Sequence, residues 1–433
     1  MLFYWCQCLR YCCSGYSICR VRNLNMYEQI LVALDGSESS RCAGQAAITV
    51  AMATGSRIIA CHVYGAEIHR RRFSEMEPGL PPKYHEKETL TDLRTAHERL
   101  MQEGFRALST GYVEDFVASS RKAGIAVESV AIEGRSYTGI LHIAKTHRCD
   151  LIALGADGLG AIGDSMLGGT TLRILHNASC DVLVTRCAPH KGPILTGIDG
   201  SDEALKAVSK AVALGRVMGR PVHFVAAYDP DFHTRVFGVM GQSLSPERQK
   251  EVGLASQEKL HDDIINDGLG KLYMEFLHEA EHRFSAKGVT IKTSLVTGKA
   301  YNALDCQAKA SEADLIVVCR HGNHRELCSN LGSNAEGLLR TTSANVLLVG
   351  GVGERVSGPK PMIRVEETIT SKSPLAWDSE AEGRLQRVPS FVRSMAKRAV
   401  ENAARELGKQ RVSVNDFDSV AAQFGMGARG GDA

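Results

Sequence analysis

The chain has 433 residues, 44% of them hydrophobic and 23% charged, with 51 basic against 49 acidic side chains. That composition suits a soluble globular protein of about three units at roughly 150 residues each, and excludes collagen-like, coiled-coil and mostly disordered chains. The net charge of +2 excludes a global basic field for nucleic acid. No apolar run approaches the roughly 20 residues needed to span a bilayer.

Thirteen cysteines are present, five of them within the first 19 residues (Cys6, Cys8, Cys12, Cys13, Cys19). The leader, residues 1–25, is read as an over-extended translation or disordered tail, with Met26 as the start. Its charge follows the apolar stretch, the reverse of a secretory signal. Its cysteine spacing lacks paired Cys-x-x-Cys metal ligands. The other eight cysteines are scattered singly, as in a reducing cytosol, and the expected location is cytoplasmic.

From Met26 the chain repeats itself. Gln29–Ser37 reads QILVALDGS and Pro193–Ser201 reads PILTGIDGS. Asp35 and Asp199 lie 164 residues apart, and the same offset relates Gly134 to Gly298, Asp150 to Asp314, Gly158 to Gly322 and Gly168 to Gly332. Two copies of one domain follow, 26–190 and 191–350. In each, an apolar strand (Ile30–Leu34; Ile194–Ile198) ends in Asp-Gly-Ser. The Asp-x-Ser turn suits the N-cap of a small-residue helix (Ser40–Ala53; Glu203–Val217). Next come a second strand (Arg57–Tyr64; Pro221–Tyr228), a long polar stretch and an amphipathic helix ending near Gly124 or Gly288. A third strand (Ala126–Ile132; Thr290–Val296), a helix (Tyr137–Thr146; Tyr301–Ala310), a fourth strand (Leu151–Leu154; Leu315–Val318), a loop, another helix and a last strand (Val182–Thr185; Val346–Val349) complete the copy. Strands alternating with helices predict an α/β fold, a parallel sheet covered on both faces. Ligands of such sheets sit beyond the carboxyl ends of the strands, at the switch point. That places Asp35, Asp199 and the loop after the fourth strand at the expected site.

This loop reads Gly155-Ala156-Asp157-Gly158, nine residues, then Gly168-Gly169-Thr170 in the first copy. In the second it reads Cys319-Arg320-His321-Gly322, nine residues, then Gly332-Ser333-Asn334. Glycines let backbone amides approach a phosphate, and the helix that follows favours an anion at its N-terminus. The Gly-x2-Gly-x9-Gly-(Ser/Thr) spacing, the Asp-Gly-Ser strand end and Cys180-Asp181-Val182-Leu183-Val184 resemble the universal stress protein family. The resemblance covers both copies. It implies a Rossmann-like five-stranded parallel sheet in each and, in many members, ATP at this loop; other members lack the motif and bind no nucleotide. It further implies pairing of the two copies inside the chain, with a homodimer as a further option.

Carried over by that resemblance, Asp35 and Asp199 would lie near ribose and adenine, and Val63 and Ala227 would border the base. Gly155, Gly158, Gly168 and Thr170 would follow the phosphates in the first copy, and Gly322, Gly332, Ser333 and Asn334 in the second. Mg2+ could accompany the ATP. The first copy departs from the pattern with Gly169 where Ser or Thr is expected, and it sets Asp157 beside the phosphates, a repulsion unless a cation intervenes. The second has Cys319 for the first glycine but gains positive charge from Arg320, His321, His324 and Arg325. The alternatives are glycines that only shape a turn around an empty site, Asp35 and Asp199 as mere caps, and Cys319 with Cys328 as a redox pair. No metal site is expected. No Ser-His-Asp order, carboxylate pair or Walker lysine is present, so any ATP hydrolysis would be slow and incidental.

Beyond 350 the chain turns Gly-, Pro-, Ser- and Lys-rich, a linker over 351–373. A helical unit is expected over 374–424, then a tail over 425–433. Ser390–Leu407 follows Pro389 and carries one apolar face through Phe391, Val392, Met395, Ala396, Ala399, Val400, Ala403, Ala404 and Leu407. Asp416–Phe424 reads as a second helix. Trp377-Asp378, Glu380-Ala381, Arg387-Val388-Pro389 and Phe391-Val392-Arg393 resemble the small C-terminal domain of the light-independent protochlorophyllide reductase B subunit, with Ser390 in place of an aromatic. The other domains of that enzyme are absent, so the resemblance does not imply a reductase. About fifty residues fold marginally alone, so these helices are expected to dock on the repeats or on a protein partner; nucleic acid is not the expected partner. The overall expectation is a nucleotide-responsive stress protein acting by binding. Its rivals are an adapter with empty sites and an accessory or redox protein tied to tetrapyrrole chemistry.

Overall fold

The computed structural model describes residues 26–158, 167–230, 239, 241–262, 268–322, 330–351, 375–388 and 390–423. The leader with its five cysteines, His324, Arg325, Cys328, Pro389, Phe424, nearly all of the linker and the final tail lie outside them. So do the side chains of Phe391, Val392, Met395 and Arg398.

Each repeat builds five strands. The first contributes β1 (Gln29–Ala33), β2 (Arg57–Tyr64), β3 (Val127–Glu133), β4 (Leu151–Gly155) and β5 (Asp181–Thr185). The second contributes β6 (Ile194–Ile198), β7 (Val222–Tyr228), β8 (Ile291–Thr297), β9 (Leu315–Cys319) and β10 (Asn345–Val349). They form one ten-stranded sheet in the order β3-β2-β1-β4-β5-β10-β9-β6-β7-β8. Every pairing is parallel except the central one, where Val182, Leu183 and Val184 face Leu348, Leu347 and Val346 antiparallel. Both strands there are buried along their whole length, so each repeat supplies the apolar cover its partner strand needs. The expected pairing of the copies is thus built into the chain and consumes β5 and β10. The remaining sheet edges are β3 and β8.

Helices cover both faces. In the first repeat these are α1 (Glu38–Thr54), α2 (Ala66–Met76), α3 (Lys87–Lys122), α4 (Ser136–Thr146) and α5 (Gly169–Asn177). In the second they are α6 (Asp202–Met218), α7 (Pro246–Glu251), α8 (Leu254–Asp262), α9 (Gly270–Phe284), α10 (Ala300–Ala310) and α11 (Ser333–Thr341). The caps of α1 and α6 are the serines: Ser37 Oγ accepts from the Ser40 amide at 3.2 Å and Ser201 Oγ from the Ala204 amide at 3.0 Å. Asp35 and Asp199 support those serines and are not the caps themselves. Two apolar clusters, one per face, run through both repeats.

The junction of the repeats also carries buried polar groups. Asp181, at the start of β5, accepts from Tyr27 Oη at 2.7 Å and from the Gly350 amide at 2.9 Å, and pairs with Lys210 at 2.9 Å. Burial, then the Asp181 carboxylate, pushes the Tyr27 phenol well above its ordinary value. Asn345 occupies the matching place in β10, and its Oδ1 accepts from the amides of Arg186 at 2.8 Å and Cys187 at 3.2 Å.

One buried side chain breaks the repeat symmetry. His223 is 1% exposed, where the first repeat has Ile59. Its Nε2 shares a 2.8 Å hydrogen bond with Ser294 Oγ, and its Nδ1 has no partner among the described residues. Burial, then Lys292, lowers its pKa. The folded state therefore binds fewer protons than the unfolded chain once pH drops below the ordinary imidazole value of about 6.5. Stability should fall as pH decreases from there towards the lower folded value. In His223→Ile this part of the slope should vanish in urea midpoints measured from pH 7.5 to 5; an unchanged slope would contradict it.

The C-terminal unit has more structure than two helices. It comprises β11 (Ala376–Trp377), α12 (Ser379–Arg387), α13 (Ser390–Glu406), β12 (Arg411–Val412) and α14 (Val414–Gln423). The parallel two-residue strands are too short to show a period in sequence. Ala381, Val400, Ala404, Val412 and Val420 form its core. Trp377 Nε1 donates to the buried Glu401 at 3.1 Å. At the start of α14, Lys409 and Ser413 hold the Asp416 carboxyl down to about 2.

Candidate functional site

The strand order reverses between β1 and β4 in the first repeat and between β6 and β9 in the second. Beyond the first of these reversals lies a cavity of about 550 Å³. It brings together Asp35, Val63, Gly155, Gly158, Gly168 and Thr170 from the expected set.

Each wall has a local cause. Asp35 follows β1, and its Oδ1 accepts from the Ser37 amide at 3.0 Å and from Ser37 Oγ at 2.5 Å. Its Oδ2 faces Gly158, where an added Cβ would lie 2.6 Å away. Aspartate and loop glycine are thus in close contact. Val63 is buried at the end of β2, and α4 closes on it at Gly139, where a Cβ would meet Val63 Cγ1 at 2.7 Å. Ile140 extends this apolar wall. Gly155 owes its lack of side chain to α1, since a Cβ there would lie 2.4 Å from Ser39 Oγ. Ser39 Oγ donates to the Asp157 carbonyl at 2.8 Å, and Thr171 Oγ1 to the Gly155 carbonyl at 2.8 Å. The Gly168 amide donates to the Ala156 carbonyl at 2.6 Å, which folds the two glycine groups together.

Gly168 is the N-cap of α5 and offers no side-chain cap. Gly169, Thr170 and Thr171, its first turn, line the cavity. Their amides and the helix dipole make this wall a place for negative charge. Arg173 lines it too, with its guanidinium over the Tyr137 ring at 5.4 Å. Asp157 also lines the cavity.

Arg173, Ser136, Ile140 and His62 line the cavity without having been expected. His62 Nδ1 lies 2.6 Å from the Leu34 carbonyl, an acceptor only, so Nδ1 carries the proton. Its ring stands edge-on to Tyr112, which also covers Gly36 at a φ of +81°. A comparison across the repeat offset flags Arg173, since Gly337 replaces it in the second copy.

The second repeat keeps the Asp-Gly contact and has Gly337 at the place of Arg173. Asp199 Oδ1 accepts from the Ser201 amide at 2.9 Å and Oγ at 2.6 Å, and a Cβ on Gly322 would lie 2.3 Å from Asp199 Oδ2. The Gly332 amide donates to the Arg320 carbonyl at 2.9 Å, and Ser333 and Asn334 stand exposed in the uncapped first turn of α11. Ala227 is half-buried at the end of β7. Leu304 lies on Gly197, with Cδ1 3.2 Å from an added Cβ, and Tyr301 packs on Gly337. The expected positive charge of this loop does not come from Arg320. That side chain is 3% exposed and turned into the junction, where it donates to carbonyls of Gly350, Leu175 and Asn330. A guanidinium at this depth is held by the carbonyls that solvate it and cannot also serve a surface phosphate. Burial, then Asp199, pushes the Cys319 thiol up to about 12, so it is protonated at neutral pH. Among the described residues no three His, Cys, Asp or Glu side chains gather as metal ligands.

The universal stress protein family model matches residues 26–186 and again 192–350. The model for the proto-chlorophyllide reductase 57 kD subunit matches 377–420. A universal stress protein in the QAH/OAS sulfhydrylase 3' region of Thermus aquaticus is 28% identical over 162 residues, 37% of this chain and 100% of that one. The light-independent protochlorophyllide reductase B subunit of Bradyrhizobium sp. (strain ORS 278) is 41% identical over 66 residues, which are 15% of this chain and 12% of that protein. A universal stress protein of Archaeoglobus fulgidus DSM 4304, solved by crystallography, aligns over 74% of this chain and 98% of its own, at 16% identity and a TM-score of 0.46.

Proposed function

The chain belongs to the universal stress protein family through both of its repeats, and from that premise we propose that it binds an adenine nucleotide, ATP first of all, in the first repeat. It acts by binding rather than turnover, as a cytoplasmic stress-response regulator. The observation that carries this reading is the wall where Gly168, Gly169, Thr170 and Thr171 meet Arg173 beside an apolar slot of Val63 and Ile140. An uncapped helix terminus and a guanidinium take phosphate; the slot takes a flat base. The volume of about 550 Å³ falls within the usual 300–1,000 Å³ of small-molecule sites. Asp35, with Oδ1 occupied by Ser37, keeps Oδ2 for a ribose hydroxyl. Mg2+ would arrive with the phosphates and offset Asp157. Thr170 supplies the hydroxyl that Gly169 lacks. The second repeat, with Gly337 in place of the arginine and Leu304 over Gly197, binds more weakly through Gly322, Gly332, Ser333 and Asn334.

Bound nucleotide orders the loop after β4 and changes the surface offered to a protein partner, with the C-terminal helices as the docking unit. No helix among the described residues is long and apolar enough to cross a membrane. The chain spans 12% of the reductase protein it matches, so reductase chemistry is not part of the proposal.

The test is thermal unfolding of the full chain with ATP, adenosine or inorganic tripolyphosphate at millimolar concentration. ATP should raise the midpoint most, because it alone fills both walls. Arg173→Ala should weaken ATP binding by about three- to tenfold, the loss of one exposed charge-assisted contact. No shift with ATP would favour the adapter with empty sites.

A further inference from the structure

The helix whose N-terminus lines the first site ends at the junction of the repeats. There the Leu175 carbonyl of α5 accepts from the guanidinium of Arg320, a residue of the second repeat. The equivalent carbonyl in α11, Leu339, accepts from Arg186 of the first repeat at 2.5 Å. Each helix that opens a site is therefore gripped at its far end by an arginine of the other repeat. The cation also suits the negative end of the helix dipole.

Arg320 makes the tighter link. Its backbone is part of the loop after β9: its carbonyl accepts from the Gly332 amide at 2.9 Å, and its amide donates to the Val349 carbonyl at 3.0 Å. Its guanidinium donates to the Gly350 carbonyl at 2.7 Å and the Asn330 carbonyl at 3.4 Å as well as to Leu175. Burial lowers its pKa only to about 10, so the grip stays charged at neutral pH. One residue thus touches the cap of α11, the second loop and the end of α5. Gly322, two residues further on, has no room for a side chain beside Asp199. Anything that enters there displaces either the Asp199 carboxylate or the loop that carries Arg320.

We infer that the state of the second loop is passed through Arg320 to α5, so that the second repeat regulates the first repeat's site. Dense packing at the junction favours transmission of such a shift over its absorption. The mechanical link stands on geometry alone; its effect on affinity rests on the nucleotide reading.

Amide hydrogen exchange on the ligand-free full chain separates the two. Gly322→Val should change exchange at Ile174–Ala178 by about threefold or more, within the range for coupled positions. Arg320→Met should also change it, and adding Gly322→Val to Arg320→Met should do no more. If Arg320→Met does not fold, Arg320→Lys replaces it, since one ammonium cannot serve the same three carbonyls. Exchange in α5 that is unchanged by Gly322→Val would overturn the link. Calorimetry with ATP gives the second reading: affinity at the first site should shift by a similar factor in Gly322→Val. An unchanged affinity in a chain that binds ATP would overturn the regulatory inference. A wild-type chain that binds no ATP would sink the nucleotide reading and leave the link to the exchange result.

Discussion

Gly158→Val should abolish nucleotide binding at the first repeat while leaving the chain folded. A Cβ at this position would lie 2.6 Å from Asp35 Oδ2, so either the carboxylate or the loop must move, and both are walls of the cavity. Gly158 has no left-handed backbone that valine would strain, and it sits beyond β4, outside the packed strands. The penalty therefore falls on the site more than on the fold. Binding of ATP should drop by at least about 100-fold, since the contacts of both ribose and phosphate are displaced together. Gly158→Ala should fall between. Wild-type affinity in Gly158→Val, measured by calorimetry, would mean that the ligand site lies elsewhere.

Asp181→Ala should have the largest effect on stability. The carboxylate serves the Tyr27 hydroxyl, the Gly350 amide and the Lys210 ammonium, all at the junction. Alanine leaves the three donors without their acceptor and one partly buried cation without its counter-charge. Removing one partner of a buried ion pair costs about 3–5 kcal/mol. Asp181→Asn should cost less, because Asn345 serves two amides at the matching place in the second repeat. Urea unfolding of the full chain reads both. A loss below about 1 kcal/mol in Asp181→Ala would mean that solvent replaces the carboxylate freely.

The two repeats and their alternation of strands and helices were legible because glycine and aspartate spacings survive at one constant offset. The contact of Asp35 with Gly158 was not foreseen, although it recurs at the same offset as Asp199 with Gly322. What could not be read was direction. Arg320 is a charged residue in a loop, and composition suggests a solvent- or phosphate-facing side chain. Its course into the junction depends on carbonyls of Leu175 and Gly350, which the fold brings close and the sequence keeps far apart. Arg173 was hidden for the opposite reason. It lies on an exposed helical turn, and only its position one turn past Gly168 aims it at the cavity. Gly155 belonged to the expected set, but the close approach of Ser39 in α1 explains its lack of side chain. In the C-terminal unit, strands of two residues and the short α12 carry too little pattern to announce themselves.

The central claim, an adenine-nucleotide site at the first switch point, is met most directly by calorimetric titration of the full chain with ATP beside the Gly158→Val variant. The prediction is saturable binding in the wild type, with the tighter component absent from Gly158→Val. No heat at millimolar ATP, or the same isotherm in both proteins, would contradict it.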